Sequence, residues 1–237
     1  MKLKILHLYP REMNLYGDHG NVLALKRRCE WRGIEVDVVP YEPGDKIPGG
    51  IDIVFGGGGQ DSGQSRIADD FIAQRAVIEK LVRANVPSLF ICGLYQLMGR
   101  EFVTTEDEVI PGLGIFDMTT VAGKKRLIGN VTVDSALFGE IVGFENHSGQ
   151  TTLDRPAEAL GRVKKGDGNN GRDRTEGIIL QNTIGTYLHG PILPQNPVIT
   201  DFLIQQALTN RGDDSALAPL DDKYETAAHS SAAARPK

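Results

Sequence analysis

The sequence predicts an α/β protein: an open, mostly parallel sheet flanked by helices, with antiparallel strands added in the second half. Three observations carry this. The first hundred residues alternate short apolar runs lacking period-2 patterning, as strands covered on both faces require, with segments of helical spacing. Strands separated by helices on that scale pair in parallel through right-handed crossovers. Beyond about residue 115 the texture changes to Val, Ile and Thr between Gly and Asn punctuation, which reads as hairpins.

In order, "LKILHLY" is a buried strand, followed by "GNVLALKRRCEWRG", a helix with Val22, Leu25 and Cys29 on one face and Gly33 as its stop. "GIEVDVVP" and "IDIVFGGGGQD" supply two further strands, the second ending in four glycines. A helix from Ser65 to Ala84 carries Ile67, Phe71, Ile78, Leu81 and Val82 on one stripe. "VPSLFI" is a buried strand running into "CGLYQLMG", a short helix. "KRLIGNVTV", "GEIVGFENHSG" and the stretch up to "GTYLHG" provide the later strands, broken by the loop "GDGNNGRD". In the last long helix, "QNPVITDFLIQQAL", Asn196 is expected to cap and Pro197 to take the first position. Residues 1–211 are expected to form one domain. Residues 212–237 are expected to be a polar, alanine-rich tail in which "LAPLDDKYETAAH" can form a short helix docked on this domain or on a partner, with disorder over about the last eight residues.

Composition narrows the function classes. A chain of 237 residues with 40% hydrophobic content suffices for one core. With a formal charge of −5 and no basic run longer than "KKR", a nucleic-acid groove is not expected. No apolar stretch approaches the roughly 20 residues of a membrane span, and the N-terminus is too short in apolar residues for a signal peptide. Two cysteines without a framework fit a reducing compartment, so a cytoplasmic location is expected.

Chemistry in open α/β sheets sits beyond the carboxyl ends of strands. Cys92 stands there, on a turn between strand and helix, with Gly93 next to it and the glycine run of a neighbouring strand at hand. That placement favours a nucleophile over the small buried hydrophobe that a lone cysteine otherwise is. Cys29 falls on an apolar helix face and is core. Of five histidines, His189 follows a strand and precedes a proline-bearing turn; the residues alone leave a catalytic base and a surface-loop histidine equally open. "FGGGGQD" lacks the lysine and hydroxyl of a phosphate loop, so its bare backbone suits an oxyanion hole instead.

Together, "LYPREMNLYGDHGN" (Leu8 to Asn21), "GGGGQD" (Gly56 to Asp61), "CGLYQ" (Cys92 to Gln96), "KRLIGN" (Lys125 to Asn130), "GFENHSGQT" (Gly143 to Thr151) and "GTYLHGPILPQNP" (Gly185 to Pro197) resemble class I glutamine amidotransferases of the CobB/CobQ-like branch, which are flavodoxin-like. The motifs span nearly the whole chain in family order. The resemblance implies that Cys92 attacks the glutamine side-chain amide and that His189 is the base. It implies an oxyanion hole from backbone N–H groups of Gly57 or Gly58 and Gly93. Arg126 would hold the glutamine carboxylate, and Gln96, Asn146, His147 and Ser148 would meet its α-amino and α-carboxyl groups; His147 is otherwise a packed histidine. No metal and no cofactor are implied in this chain. ATP and Mg are expected on a partner, a MurT-like Mur ligase subunit forming a heterodimer with it and amidating the D-glutamate α-carboxyl of lipid II, with L-glutamine as this chain's substrate.

Two departures from the family pattern stand out. Phe90 and Leu94 occupy the glycine positions of the usual G-x-C-x-G elbow, and Pro191 stands where many relatives outside the CobB/CobQ-like branch carry a glutamate two residues after the histidine, an acid that members of this branch commonly lack. The expectation is therefore that a partner acid orients His189, leaving the isolated chain poorly active. Cobyrinate- or cobyrate-type amidation, a flavodoxin-like redox sensor using Cys92, and a catalytically silent subunit are the competing readings.

Overall fold

The computed structural model describes all 237 residues. The first half runs β1 (Lys2–Leu8), α1 (His19–Glu30), β2 (Glu35–Tyr41), β3 (Ile53–Gly56), α2 (Asp61–Ala73), α3 (Arg75–Arg83), β4 (Ser88–Ile91) and α4 (Gly93–Met98). The second half runs β5 (Glu101–Val103), β6 (Val109–Pro111), β7 (Met118–Ser135), β8 (Gly139–Leu153), β9 (Gly161–Lys165), β10 (Thr175–Glu176), β11 (Ile178–Leu180), β12 (Thr183–Thr186), α5 (Ile192–Gln195), α6 (Pro197–Asn210) and α7 (Lys223–Ala234).

Two sheets form. The first has the order β11-β12-β4-β3-β1-β2, every neighbour parallel except the β11–β12 pair at one edge. Its central strands β3 and β4 are buried along their whole length, which explains their unbroken apolar sequence. The second sheet is built around the long antiparallel hairpin of β7 and β8, with β9, β10, β5 and β6 added. The pairing of β7 with β8 shifts between Ala122 and Leu127, so residues 123–126 bulge out opposite Ser148. The two sheets meet at His189, whose backbone exchanges two hydrogen bonds with Phe144 of β8, at 2.8 and 3.0 Å. No helix is long and apolar enough to cross a membrane.

Several local expectations need correction. The single helix expected over Ser65 to Ala84 is two helices, α2 and α3. At Gln74 the N–H is shared between the Asp70 and Phe71 carbonyls, a tightened turn across which the buried stripe of Ile67, Phe71, Ile78 and Val82 continues. Asn196 does not cap α6 with its side chain. Its amide instead accepts the Val142 N–H and donates to the carbonyls of Val142 and Ile192, at 2.9, 2.8 and 2.7 Å, acting as a substitute strand neighbour for β8. The last eight residues, expected to be disordered, are held: α7 runs to Ala234, and Lys165 Nζ donates to the Ala233 and Arg235 carbonyls at its end. Asn130 donates to the Pro236 carbonyl, and Lys237 pairs with Asp167. At its start the tail is tied by Asp222 to the buried guanidinium of Arg28, which also forks onto Asp201.

The bulky residues beside Cys92 are accommodated by a glycine on the adjacent strand. A β-carbon on Gly56 of β3 would lie 2.4 Å from Leu94 Cδ1 and 3.2 Å from Phe90 Cδ1. The space that flanking glycines would leave at the elbow is thus provided one strand away. Gly56→Ala is expected to cost about 1–3 kcal/mol by overpacking. In a Leu94→Ala background the increment should be smaller, because the nearest atom is gone. Denaturant unfolding of the four-member cycle checks this; strict additivity would contradict it.

Candidate active site

Four adjacent strands of the first sheet, in the order β12, β4, β3, β1, each end at the same edge and each deliver one part of a site. Their carboxyl ends lead respectively to His189, Cys92, the glycine run 56–59 and the loop carrying Asp18. Parallel pairing makes this convergence automatic, because every carboxyl end faces the same crevice.

Cys92 is the one residue between β4 and α4 and adopts φ 48°, ψ −100°. A positive φ on a residue with a β-carbon is a strained conformation, held here because both flanks are fixed. The Cys92 N–H donates to the Thr186 carbonyl at 2.8 Å, and its carbonyl accepts the Gln96 N–H at 2.9 Å. The side chain is 6% exposed and lines a cleft. Cys29, by contrast, is sealed in the core, and burial pushes its thiol up to about 12.

His189 is fully buried behind the cleft. A β-carbon on Gly58 would sit 2.7 Å from His189 Cε1 and 3.1 Å from Cys92 Cβ, so imidazole and thiol pack against the same bare α-carbon. His189 Nδ1 donates to Asp18 Oδ1 at 3.1 Å, and Asp18, equally buried, accepts the Gly58 N–H on Oδ2 at 2.7 Å. The acid that orients the imidazole is therefore in this chain, which corrects the expectation that a partner supplies it. Burial alone would strip the imidazole of its proton. The electrostatic influence of Cys92 on one side and of the Asp18 side chain on the other outweighs it and raises His189 from 6.5 to about 10. Tyr16, with φ 54°, lays its ring edge-to-face on His189 at a centroid distance of 4.9 Å and lines the cleft beside it.

One of the expected oxyanion donors is occupied. The Gly58 N–H is consumed by Asp18, and Gly57 packs against the opposite wall, where a β-carbon would meet the Met13 carbonyl at 2.3 Å. Gly59, which does line the cleft, has an N–H without an acceptor in the protein, and its nitrogen lies 2.9 Å from where a Gly93 β-carbon would be. Gly93 is the first residue of α4, so its N–H has no partner within that helix. The N–H groups of Gly59, on the cleft wall, and of Gly93, next to Cys92 in the chain, are left without an acceptor in the protein.

The cleft has a volume of about 490 Å³. Cys92, Gln96, Arg126, Asn146, His147 and Ser148, singled out from the sequence, all line it, together with Gln60, Asp61, Ser62 and Gln64 at the start of α2. The 123–126 bulge brings Arg126 there; its Nε and Nη2 donate to Asn146 Oδ1 and the Asn146 carbonyl, leaving Nη1 free. Gln96 is largely engaged inward, accepting from Gln64 at 2.8 Å and donating to the Tyr187 hydroxyl at 3.1 Å. His147 donates from Nδ1 to the Gly149 carbonyl and stacks on Tyr187 at 3.6 Å, while its Nε2 is buried without a hydrogen bond, 3.8 Å from Glu145 Oε2. A larger cavity of about 610 Å³ on the second sheet contains none of these residues. Sequence reasoning missed Asp18, Tyr16, Gly59 and Gln64. Asp18 lies ten residues beyond the end of β1, in the polar stretch "YGDHG" leading into α1, so the strand-end rule that marked Cys92 did not single it out.

A family model for the CobB/CobQ-like glutamine amidotransferase domain matches residues 4–197. The chain is 41% identical over 212 residues to the lipid II isoglutaminyl synthase (glutamine-hydrolyzing) subunit GatD of Staphylococcus aureus, covering 89% of this chain and 86% of that one. It is 39% identical over 226 residues to the subunit of the same name from Streptococcus pneumoniae, covering 93% and 86%. Among solved structures, PurLQS from Thermotoga maritima shares the fold with a TM-score of 0.60 at 15% identity, over 89% of this chain and 99% of that one.

Asp18→Asn keeps the side-chain shape and removes the charge that helps hold the His189 proton. The imidazole should then titrate below the value of about 10 of the wild type. Nitrogen-15 NMR of the ring checks this, and an unchanged midpoint would show that Asp18 does not bear on His189.

Proposed function

The chain belongs to the CobB/CobQ-like glutamine amidotransferase family, and on that premise we propose that it is the glutamine-hydrolysing subunit of a lipid II isoglutaminyl synthase. The observation that carries the chemistry is the meeting of Cys92 and His189 against Gly58, with Asp18 behind the imidazole. The likeness to two GatD subunits along most of the chain supports the substrate assignment.

In this reading L-glutamine enters the cleft with its α-carboxylate toward Arg126 Nη1 and its α-amino group toward Asn146, His147 and Ser148, the side-chain amide reaching Cys92. The Cys92 sulfur attacks the amide carbon, and the charge developing on the amide oxygen is met by the N–H groups of Gly59 and Gly93. His189 gives its proton to the amide nitrogen, the C–N bond breaks and ammonia leaves, giving a γ-glutamyl thioester. A water then gives a proton to His189 as its oxygen bonds to the thioester carbon. The C–S bond breaks, glutamate departs and the sulfur anion is restored. Asp18 keeps Nδ1 protonated throughout, so that Nε2 is the nitrogen that exchanges protons. Tyr16 covers the imidazole from solvent.

Amidating a carboxylate requires activation, and the sequence has no nucleotide-binding loop. By the likeness to GatD subunits, the partner in this reading is an ATP-dependent, Mur-ligase-like subunit that activates the α-carboxyl of the stem D-glutamate and receives the ammonia.

Because the acid is intrinsic, the isolated chain should release glutamate from glutamine without its partner. Cys92→Ala should abolish this, a loss of at least about 10³-fold, as expected when a covalent nucleophile is removed. In the assembled complex the variant should still amidate lipid II when ammonium salts replace glutamine. Failure of ammonium to rescue, with wild type active on glutamine, would contradict the division of labour; a Cys92→Ala chain that still releases glutamate would contradict the nucleophile.

A further inference from the structure

Glu176 is the last residue of β10, where the chain leaves the second sheet for the first, and its side chain is fully buried. Its Oε1 accepts the Thr186 hydroxyl at 2.6 Å and the Tyr187 N–H at 2.9 Å, while Oε2 has no partner. The Thr186 hydroxyl in turn accepts the Leu188 N–H at 3.0 Å, and the Thr186 carbonyl holds the Cys92 N–H at 2.8 Å. One carboxyl group therefore fixes a three-residue turn whose near end anchors the nucleophile and whose far end delivers His189. Between them, Tyr187 stacks on His147 and joins Gln96 and Thr151 by hydrogen bonds.

We propose that Glu176 is a positioning residue of the glutaminase: by fixing the Thr186–Leu188 turn it sets Cys92 and His189 in register, without touching glutamine. The inference rests on the glutaminase reading above. Its alternative is that Glu176 merely joins the two sheets, and charge separates the two roles. Glu176 is faced by the Glu145 carboxylate of β8, by Tyr95 of α4 and by Tyr187, with no cation paired to it. Burial raises it to about 7, with Glu145 adding and the Thr186 and Tyr187 donors opposing. The group is thus a neutral acid below that pH and a carboxylate above it. A carboxylate accepts hydrogen bonds more strongly than a neutral carboxyl, so the turn is held most firmly above about pH 7.

Glu176→Gln keeps an oxygen for both donors and never ionises. The experiment measures kcat and KM for glutamine between about pH 6 and 8, on the complex with its partner. Rates are expressed per folded chain, with the folded fraction read from the far-ultraviolet circular dichroism amplitude, which removes any unfolded fraction. The ratio of wild-type to Glu176→Gln kcat should be near one at the acid end and rise several-fold at the alkaline end. Glu176→Ala should lower kcat by roughly ten- to a hundredfold, the scale of a small misplacement of reacting groups, with KM nearly unchanged. A ratio near one across the whole range overturns the proposal, as does a folded Glu176→Ala protein with wild-type kcat. If Glu176→Ala does not fold, the Glu176→Gln ratio decides. Wild type that releases no glutamate would instead bring down the reading of the site itself.

Discussion

The Asp18 carboxylate, shared between the Gly58 N–H and His189 Nδ1, is the interaction on which the site depends. It joins three strand ends in the dry interior. β1 supplies the acid, β3 the glycine run and β12 the imidazole, with the β4 thiol seated between. A carboxylate removed from water is stabilised only when its oxygens are matched by donors, and here each oxygen has one. Loss of either donor would leave a buried charge uncompensated. The surrounding loop is tied accordingly: Leu15 donates to the Gly58 carbonyl and His19 to Asn14 Oδ1.

Strain at Cys92 is the second constraint, and the neighbouring elements are shaped to hold it. Thr186 fixes the elbow from one side and the first turn of α4 from the other, while Gly56 admits Phe90 and Leu94. Behind the cleft a buried polar chain runs from Gln64 through Gln96 and Tyr187 to Thr151 and Thr120. Each member has a partner, so the floor of the cleft is rigid without being apolar. The second sheet contributes the wall that gives the site its polarity, through the bulged β7 with Arg126 and the Asn146–Ser148 segment of β8.

How much of this the sequence discloses follows from the range of the forces involved. The buried parallel strands are legible because two-sided burial writes itself into every residue of β3 and β4, and the strand-end rule then singles out Cys92. Asp18 and His189 are 171 residues apart, and no local pattern announces their bond. The Gly58 N–H looks free in a glycine run until a carboxylate from another loop takes it. Asn196 has the composition and position of a helix cap, yet an unpaired stretch of β8 competes for its amide and wins. The last eight residues read as disordered because their own apolar content is low; what holds them are Lys165 and Asn130, both distant in sequence. Glu176 gives no signal at all, since a glutamate among polar loop residues is ordinarily exposed.

The central claim is that one chain holds a thiol, an imidazole and a carboxylate competent for acyl transfer. Intact-mass and peptide mass spectrometry of the isolated chain after treatment with a diazoketone analogue of glutamine tests it most directly. The account predicts a single adduct, on Cys92, suppressed by excess glutamine and formed more slowly in a His189→Ala chain. An adduct on Cys29, or labelling of Cys92 that is indifferent to both glutamine and His189, would contradict it.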